Sequence, residues 1–343
     1  MRVKEYLFVL SFILLVFSGC INFERETIFD KKVYIPKELV YDIPYLPPLC
    51  DEMPDLKKGF ADIKDGKLYY EEEGEGIPLV FINGGPGDTH QIFHPYFSQI
   101  KDVARIIYYD QRGTGKSSKD DSGKTYTVKQ AVEDLEYLRK ALKIDRWVVL
   151  GWSYGGLLAQ CYALKYPERC IGLILGTSTT GIPSSYSSRE RERKFISLAE
   201  WDAIENVGQM ASEGKVTTAQ CIYNRLLAGD WKRQRYYKPT KEEMLRQALY
   251  GWSPAPGFEE RMRPDSDKIN LRGKFDDFKI PTLIIEAKWE LLWWDPNRVN
   301  IMQKNHPHAQ IEIFEKSGHV IFADEPERFF SLIKNFLEKL DAK

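Results

Sequence analysis

Apolar positions along this chain come in short runs whose spacing switches repeatedly between two periods. Lys67–Glu73, Pro78–Ile82 and Arg105–Asp110 are strand-like runs, and Val128, Ala131, Val132, Leu135, Leu138 and Leu142 repeat at helical spacing. Arg146–Gly151 carries a continuous apolar run, the pattern of a strand covered on both faces. Leu157–Tyr166 then reads as helix and Cys170–Leu175 as strand. From Ser178 to Asp277 the rhythm stops: charge, Trp and Tyr dominate, helical stretches such as Glu242–Tyr250 occur, and no strand run is visible. It resumes with a strand at Pro281–Ile285, a helix near Asn297–Lys304, a strand at Gln310–Phe314 and a closing helix over Pro326–Leu340. Alternation of this kind predicts an α/β fold, a mainly parallel sheet with helices on both faces, interrupted by a helical insertion.

The N-terminus follows another pattern. Residues 1–20 have a basic start, an apolar stretch from Leu7 to Phe17 and small residues before Cys20, the layout of a secretory signal. The stretch is shorter than the roughly 20 residues that span a bilayer. Cys20 after Ser18-Gly19 resembles a bacterial lipoprotein site, which predicts an exported chain held on the extracytoplasmic face by an N-terminal lipid anchor. A plain cleaved signal and an uncleaved anchor are the alternatives. Five prolines between Pro36 and Pro54 disfavour regular structure, so residues 21–57 read as a tether or surface arm. Core order is expected from about Phe60. The expected organisation is a signal over 1–20, an arm over 21–57, a core formed by 58–177 and 278–343, and a helical cap over 178–277.

Composition narrows the classes. Lys plus Arg number 49 and Asp plus Glu 50, without the basic excess of a nucleic-acid binder. Mean hydropathy of −0.42 speaks against a multi-span membrane protein. Cys50, Cys161, Cys170 and Cys221 allow three pairings, among which sequence cannot choose; Cys161 and Cys170 read as buried thiols.

The chemistry concentrates at strand ends. Gly151-Trp152-Ser153-Tyr154-Gly155-Gly156 stands between a strand and a helix, the context of a nucleophile elbow, whose tight turn needs glycine around the Ser. Ser153 is the expected nucleophile, and the amide of Tyr154 would face the developing oxyanion. A serine hydroxyl needs a base. Of five histidines, His306 and His308 precede a strand, at the wrong end of the sheet. His90 and His94 have a metal-compatible i, i+4 spacing but no evident carboxylate or third ligand. His319 directly follows the last strand and is the expected base. Its orienting acid should follow the preceding strand, where Glu290 is favoured over Asp295, a possible helix N-cap, and over Glu286, which is close to the strand end. Asn83-Gly84-Gly85-Pro86-Gly87 would supply the second oxyanion donor.

Asn83–Gly87 resembles the His-Gly-Gly-Pro-Gly loop of proline iminopeptidases, and Asp110-Gln111-Arg112-Gly113-Thr114-Gly115-Lys116-Ser117 is similar to the Asp-Gln-Arg-Gly-x-Gly-x-Ser segment of the same family. Gly151–Gly156 and Ser317-Gly318-His319 also fit, so the resemblance covers about residues 60–180 and 275–340. It implies the α/β-hydrolase fold, a triad of Ser153, Glu290 and His319, and an oxyanion hole from the amides of Gly85 and Tyr154. Asp110 and Arg112 would be scaffold groups. It implies no metal and no organic cofactor. Asn83 departs from the family's His, Glu290 from its Asp, and the cap matches poorly. Cap or rim carboxylates hold the substrate's amine in the family; Trp201, Asp202, Glu205, Glu259 and Glu260 are candidates here, with Glu205 preferred. Trp152 and Trp293, the latter in the apolar Leu291–Trp294 stretch, are expected to wall the substrate pocket. The function implied is an exported aminopeptidase releasing N-terminal proline or a similar small residue from peptides. The alternatives are a carboxylesterase or small-amide hydrolase on the same triad, and a lipid-anchored binding protein without activity.

Overall fold

The computed structural model describes residues 40–53, 55–181, 191–292 and 295–341. Cys20, the signal and most of the arm lie outside them, as does Trp293. Among the described residues no helix is long and apolar enough to cross a membrane.

Eight strands form one sheet: β1 (Lys57–Ile63), β2 (Gly66–Glu73), β3 (Ile77–Ile82), β4 (Ala104–Tyr109), β5 (Trp147–Trp152), β6 (Cys170–Gly176), β7 (Thr282–Ala287) and β8 (Gln310–Phe314). Their order is β1-β2-β4-β3-β5-β6-β7-β8. The β1–β2 and β2–β4 pairs are antiparallel, and every pair from β4 to β8 is parallel. β5 is buried at all six positions, which is why its sequence shows no polar alternation. β1 alternates exposed and buried residues at the sheet edge. Of the two readings of residues 21–57, a free tether does not describe their end, because Cys50 is fully buried against the sheet core, and β1 starts at Lys57, slightly before the order expected from Phe60.

Helices α1 (Val128–Ala141), α2 (Tyr154–Lys165) and, late in the chain, α7 (Arg298–Asn305) join parallel strands, and α8 (Ile321–Asp324) and α9 (Pro326–Asp341) follow β8. One apolar cluster collects α1, α2 and one sheet face; the other collects α9 and the opposite face. The insertion supplies α3 (Leu198–Ser212), α4 (Thr218–Ala228), α5 (Lys241–Arg246) and α6 (Phe258–Ser266). Capping boxes open three of them: Ser197 with Glu200, Thr217 with Gln220 and Thr240 with Glu243, each satisfying two backbone donors that the first turn would leave unpaired.

The insertion is not one cap. Described residues 40–44 and 191–232 form one compact unit, and residues 45–181 and 233–341 form the other. The second half belongs with the sheet because its backbone is stitched to the loops above it. Thr89 N donates to Gly251 O (3.0 Å), Ser253 N to Gly87 O (3.0 Å), Gly115 N to Ser253 O (2.9 Å) and Ala255 N to Gly113 O (2.7 Å). The four cysteines described are free thiols.

Candidate active site

Ser153 stands between β5 and α2 with φ 55° and ψ −122°. A non-glycine residue at positive φ is costly, by about 1–3 kcal/mol, and persists where its surroundings enforce it. Here they do. Ser153 N donates to Gly176 O (2.8 Å) and Gly156 N to Ser153 O (3.0 Å). A Cβ on Gly151 would meet Gly155 O at 2.3 Å, and one on Gly155 would meet Ile82 O at 2.1 Å. Only glycine lets the turn close against the neighbouring strand. The serine is left 6% exposed at the carboxyl end of the sheet.

His319 arrives from the loop after β8, and its Nδ1 lies 2.7 Å from Glu290 Oε2. Three bonds hold this loop: Thr177 Oγ1 donates to His319 O (3.2 Å), Val320 N to Gln234 O (2.9 Å) and Gly318 N to Asp324 Oδ2 (2.9 Å). Glu290, in the loop after β7, accepts Leu292 N on Oε1 (2.7 Å) and has Arg298 Nη1 3.5 Å from Oε2. Asp295 instead accepts Asn297 N (2.8 Å) at the turn into α7. Glu286 remains inside β7 with Arg298 Nη2 at 2.6 Å from Oε2; burial pushes its carboxyl up to about 7, with Arg298 opposing the rise.

The glycine loop after β3 passes over the elbow. Gly85 has φ 107°, and a Cβ there would strike Gly87 N at 2.4 Å. Asn83 Nδ2 donates to Asp88 O, and Gln111 Nε2 donates to Asn83 O (3.0 Å) and Oδ1 (3.2 Å). Asn83 therefore braces the loop from below. Asp110 accepts His90 N (3.0 Å) and Lys116 N (2.9 Å), while Arg112 is bidentate on Asp134 (2.7 and 2.8 Å). Both are scaffold.

Two expectations are corrected here. Trp152 belongs to the core: it is 3% exposed, stacks edge-on with Phe322 (4.8 Å between centroids) and lies against Gly176, which has no side chain to block it. It backs His319, at 6.5 Å, rather than walling a pocket. His90 and His94 do have carboxylate partners. Glu71, brought from β2, contacts His90 Nε2 (3.1 Å) and His94 Nε2 (2.9 Å), and Asp110 contacts His90 Nδ1 (2.8 Å). Cys50, Glu71 and His90 each offer a donor atom within 4.8 Å of the others, a set able to ligate a metal ion. Glu205 is an exposed residue of α3 in the smaller unit. His306, at the other end of the sheet, is buried on Phe275 and bonded to Gln160, and burial lowers it to about 4. Sequence reading passed over Asp324, whose carboxylate also takes Arg235 Nε (2.9 Å) and Tyr236 N (2.7 Å), and Asp88, beside the glycine loop. An acid immediately after a glycine-rich loop was the available signal for the latter.

A strand–elbow–helix serine and a His–Glu pair, both at carboxyl ends of strands in a mainly parallel sheet, mark a serine hydrolase, and the chain belongs to the alpha/beta hydrolase fold family, whose profile matches residues 77–326. Within that family it is proline iminopeptidase-like. The proline iminopeptidase of Lactobacillus acidophilus is 30% identical over 276 residues, 78% of this chain and 92% of the relative. That of Saccharolobus solfataricus is 26% identical, over 83% of this chain and 94% of the relative. By fold, an esterase from Exiguobacterium antarcticum matches with a TM-score of 0.64 at 20% identity, covering 82% of this chain and all of that structure.

Proposed function

We propose that this chain is an exported aminopeptidase that removes N-terminal proline, or a similar small residue, from short peptides. The catalytic part rests on one observation, the 2.7 Å contact of His319 Nδ1 with Glu290 on the rim that carries Ser153. His319 takes the Ser153 proton as the Oγ–carbonyl carbon bond forms. The Gly85 and Tyr154 amides face the oxyanion, and each such donor is worth roughly 100- to 1,000-fold in rate. His319 then protonates the leaving nitrogen as the C–N bond breaks. Water, deprotonated by His319, cleaves the acyl-enzyme and restores Ser153. Glu290 orients the ring and stabilises its charged form without taking the proton.

Support for the substrate comes from relatives named proline iminopeptidase that align over nearly their whole length. Turnover of proline p-nitroanilide beside simple acyl esters tests it; hydrolysis of esters alone removes the peptidase claim and leaves the hydrolase. A carboxylesterase is the second reading, motivated by the exposed position of Glu205 on α3. Equal rates on free and blocked amines would favour it. We further infer lipidation at Cys20 from the signal over residues 1–20. Fatty-acid labelling checks this: the wild type should take up the label and Cys20→Ala should not, and an unlabelled wild type would remove the lipid anchor.

A further inference from the structure

The loop that carries Gly85 also carries a carboxylate that the steps above leave unused. Asp88 is half-buried, and burial and nearby charges, with no hydrogen bond among the causes, set its ionisation. A methyl group built on Gly84 would stand 3.0 Å from Asp88 Oδ2 and 3.2 Å from Ser153 Cβ. The carboxylate and the nucleophile thus border the same small volume. The backbone around Asp88 is fixed by Thr89 N on Gly251 O, Ser253 N on Gly87 O and Asn83 Nδ2 on Asp88 O. Trp252 and Pro254 close the other side, 2.6 and 3.3 Å from a methyl group built on Gly87.

A bare anion in this position opposes the chemistry, because an oxyanion must form close to it in a site of low dielectric. Burial raises Asp88 to about 7; His319 pulls it down, and Glu259 pushes it further up. A cation brought by the substrate would relieve both the burial and the repulsion. We propose that Asp88 receives the N-terminal ammonium of the substrate, so that selectivity for a free amine resides in the oxyanion loop. This rests on the aminopeptidase reading. It also gives the Trp252 indole a role, as an apolar neighbour for a small ring.

Proline p-nitroanilide and p-nitrophenyl butyrate, each run on the wild type and on Asp88→Asn, test this. The KM for the proline substrate should rise by about 30-fold, the scale of losing one partner of a charge pair. Turnover of the neutral ester should rise several-fold, because the charge facing the oxyanion is gone. Asp88→Glu should recover part of the amine preference. If Asp88→Asn lowers both activities by one factor, Asp88 is structural and the proposal falls, while the aminopeptidase reading stands. A wild type that hydrolyses the ester and not the proline substrate sinks both. Should Asp88→Asn not fold, the wild type alone decides. Its KM for the proline substrate should fall as pH rises from 6 to 8 and Asp88 ionises, with no parallel change for the ester; a flat KM overturns the assignment.

Discussion

Three histidines of this hydrolase lie against carboxylates, and the molecule uses two of them, His90 and His319, in opposite ways. His90 is buried with an acid at each ring nitrogen, Asp110 at Nδ1 and Glu71 at Nε2. Glu71 is itself held by His94 and by the Tyr69 hydroxyl (2.6 Å). Burial works against a charged His90, but the two acids outweigh it and hold the imidazolium well above the usual histidine range. Burial likewise works to raise Glu71, yet the His90 and His94 rings and Tyr69 keep it well below the usual carboxylate range. His319 has one carboxylate, at Nδ1, and sits at the sheet rim. A ring gripped by anions on both sides does not release its proton near neutral pH. A ring oriented from one side can take a proton and return it. Acids on both nitrogens set His90 apart from the base, while His94, with Glu71 alone, is set apart by burial, which lowers it.

The largest effects should come from the rim. Ser153→Ala or His319→Ala is expected to lower kcat by about a million-fold. Glu290→Gln should cost about 10,000-fold, because an amide no longer stabilises the charged ring. Thermal melting should barely move in any of the three, which separates lost chemistry from lost fold. A Glu290→Gln enzyme within tenfold of the wild type would break the comparison at its active end.

The buried cluster should respond in the other currency. His90→Gln removes the charged partner that Glu71 and Asp110 share in the interior, at a cost of about 3 kcal/mol, with activity per folded molecule changed far less. The sign with pH follows from the direction of the shift. A histidine raised on folding contributes stability below its unfolded pKa, near 6.5, and loses it as pH rises through the folded value. The melting gap between wild type and His90→Gln should therefore narrow as the solution is made alkaline. A gap that widens with pH would mean that His90 is held neutral.

The two clusters were unequally legible in the sequence. The elbow, the last strand and His319 are local signals: β5 is continuously apolar, glycine flanks Ser153, and a Gly-His pair follows β8. The Glu71–His90–Asp110 cluster has no local signature, because β2 and β4 pair antiparallel and only the register brings Glu71 beneath the loop after β3. β1 was missed for a related reason, since an edge strand reading Lys-Lys-Gly-Phe-Ala-Asp-Ile hides its period in polar residues. Trp152 misled because a position beside the nucleophile suggests a pocket wall. Strand alternation at the elbow turns its indole inward instead, into the space Gly176 leaves. Nor could sequence divide the insertion, whose second half is joined to the sheet by backbone bonds that name no particular side chains.

The smallest expected effect gives the sharpest test, since it separates two acids five residues apart in one loop. Asp295 accepts Asn297 N (2.8 Å), and Arg298 N donates to its carbonyl (3.0 Å). Its carboxylate therefore fastens the start of α7, a role an amide oxygen can also fill, and Asp295→Asn should cost at most about 1 kcal/mol of stability. The bridge from Arg298 to Glu286 (2.6 Å) and on to Glu290 (3.5 Å) is left intact by this change. Measured kcat should stay within about twofold of the wild type, against the 10,000-fold loss expected for Glu290→Gln. Were Asp295→Asn as inactive as Glu290→Gln, one carboxylate on one ring nitrogen would no longer describe the rim, and the contrast with His90 would lose its physical basis.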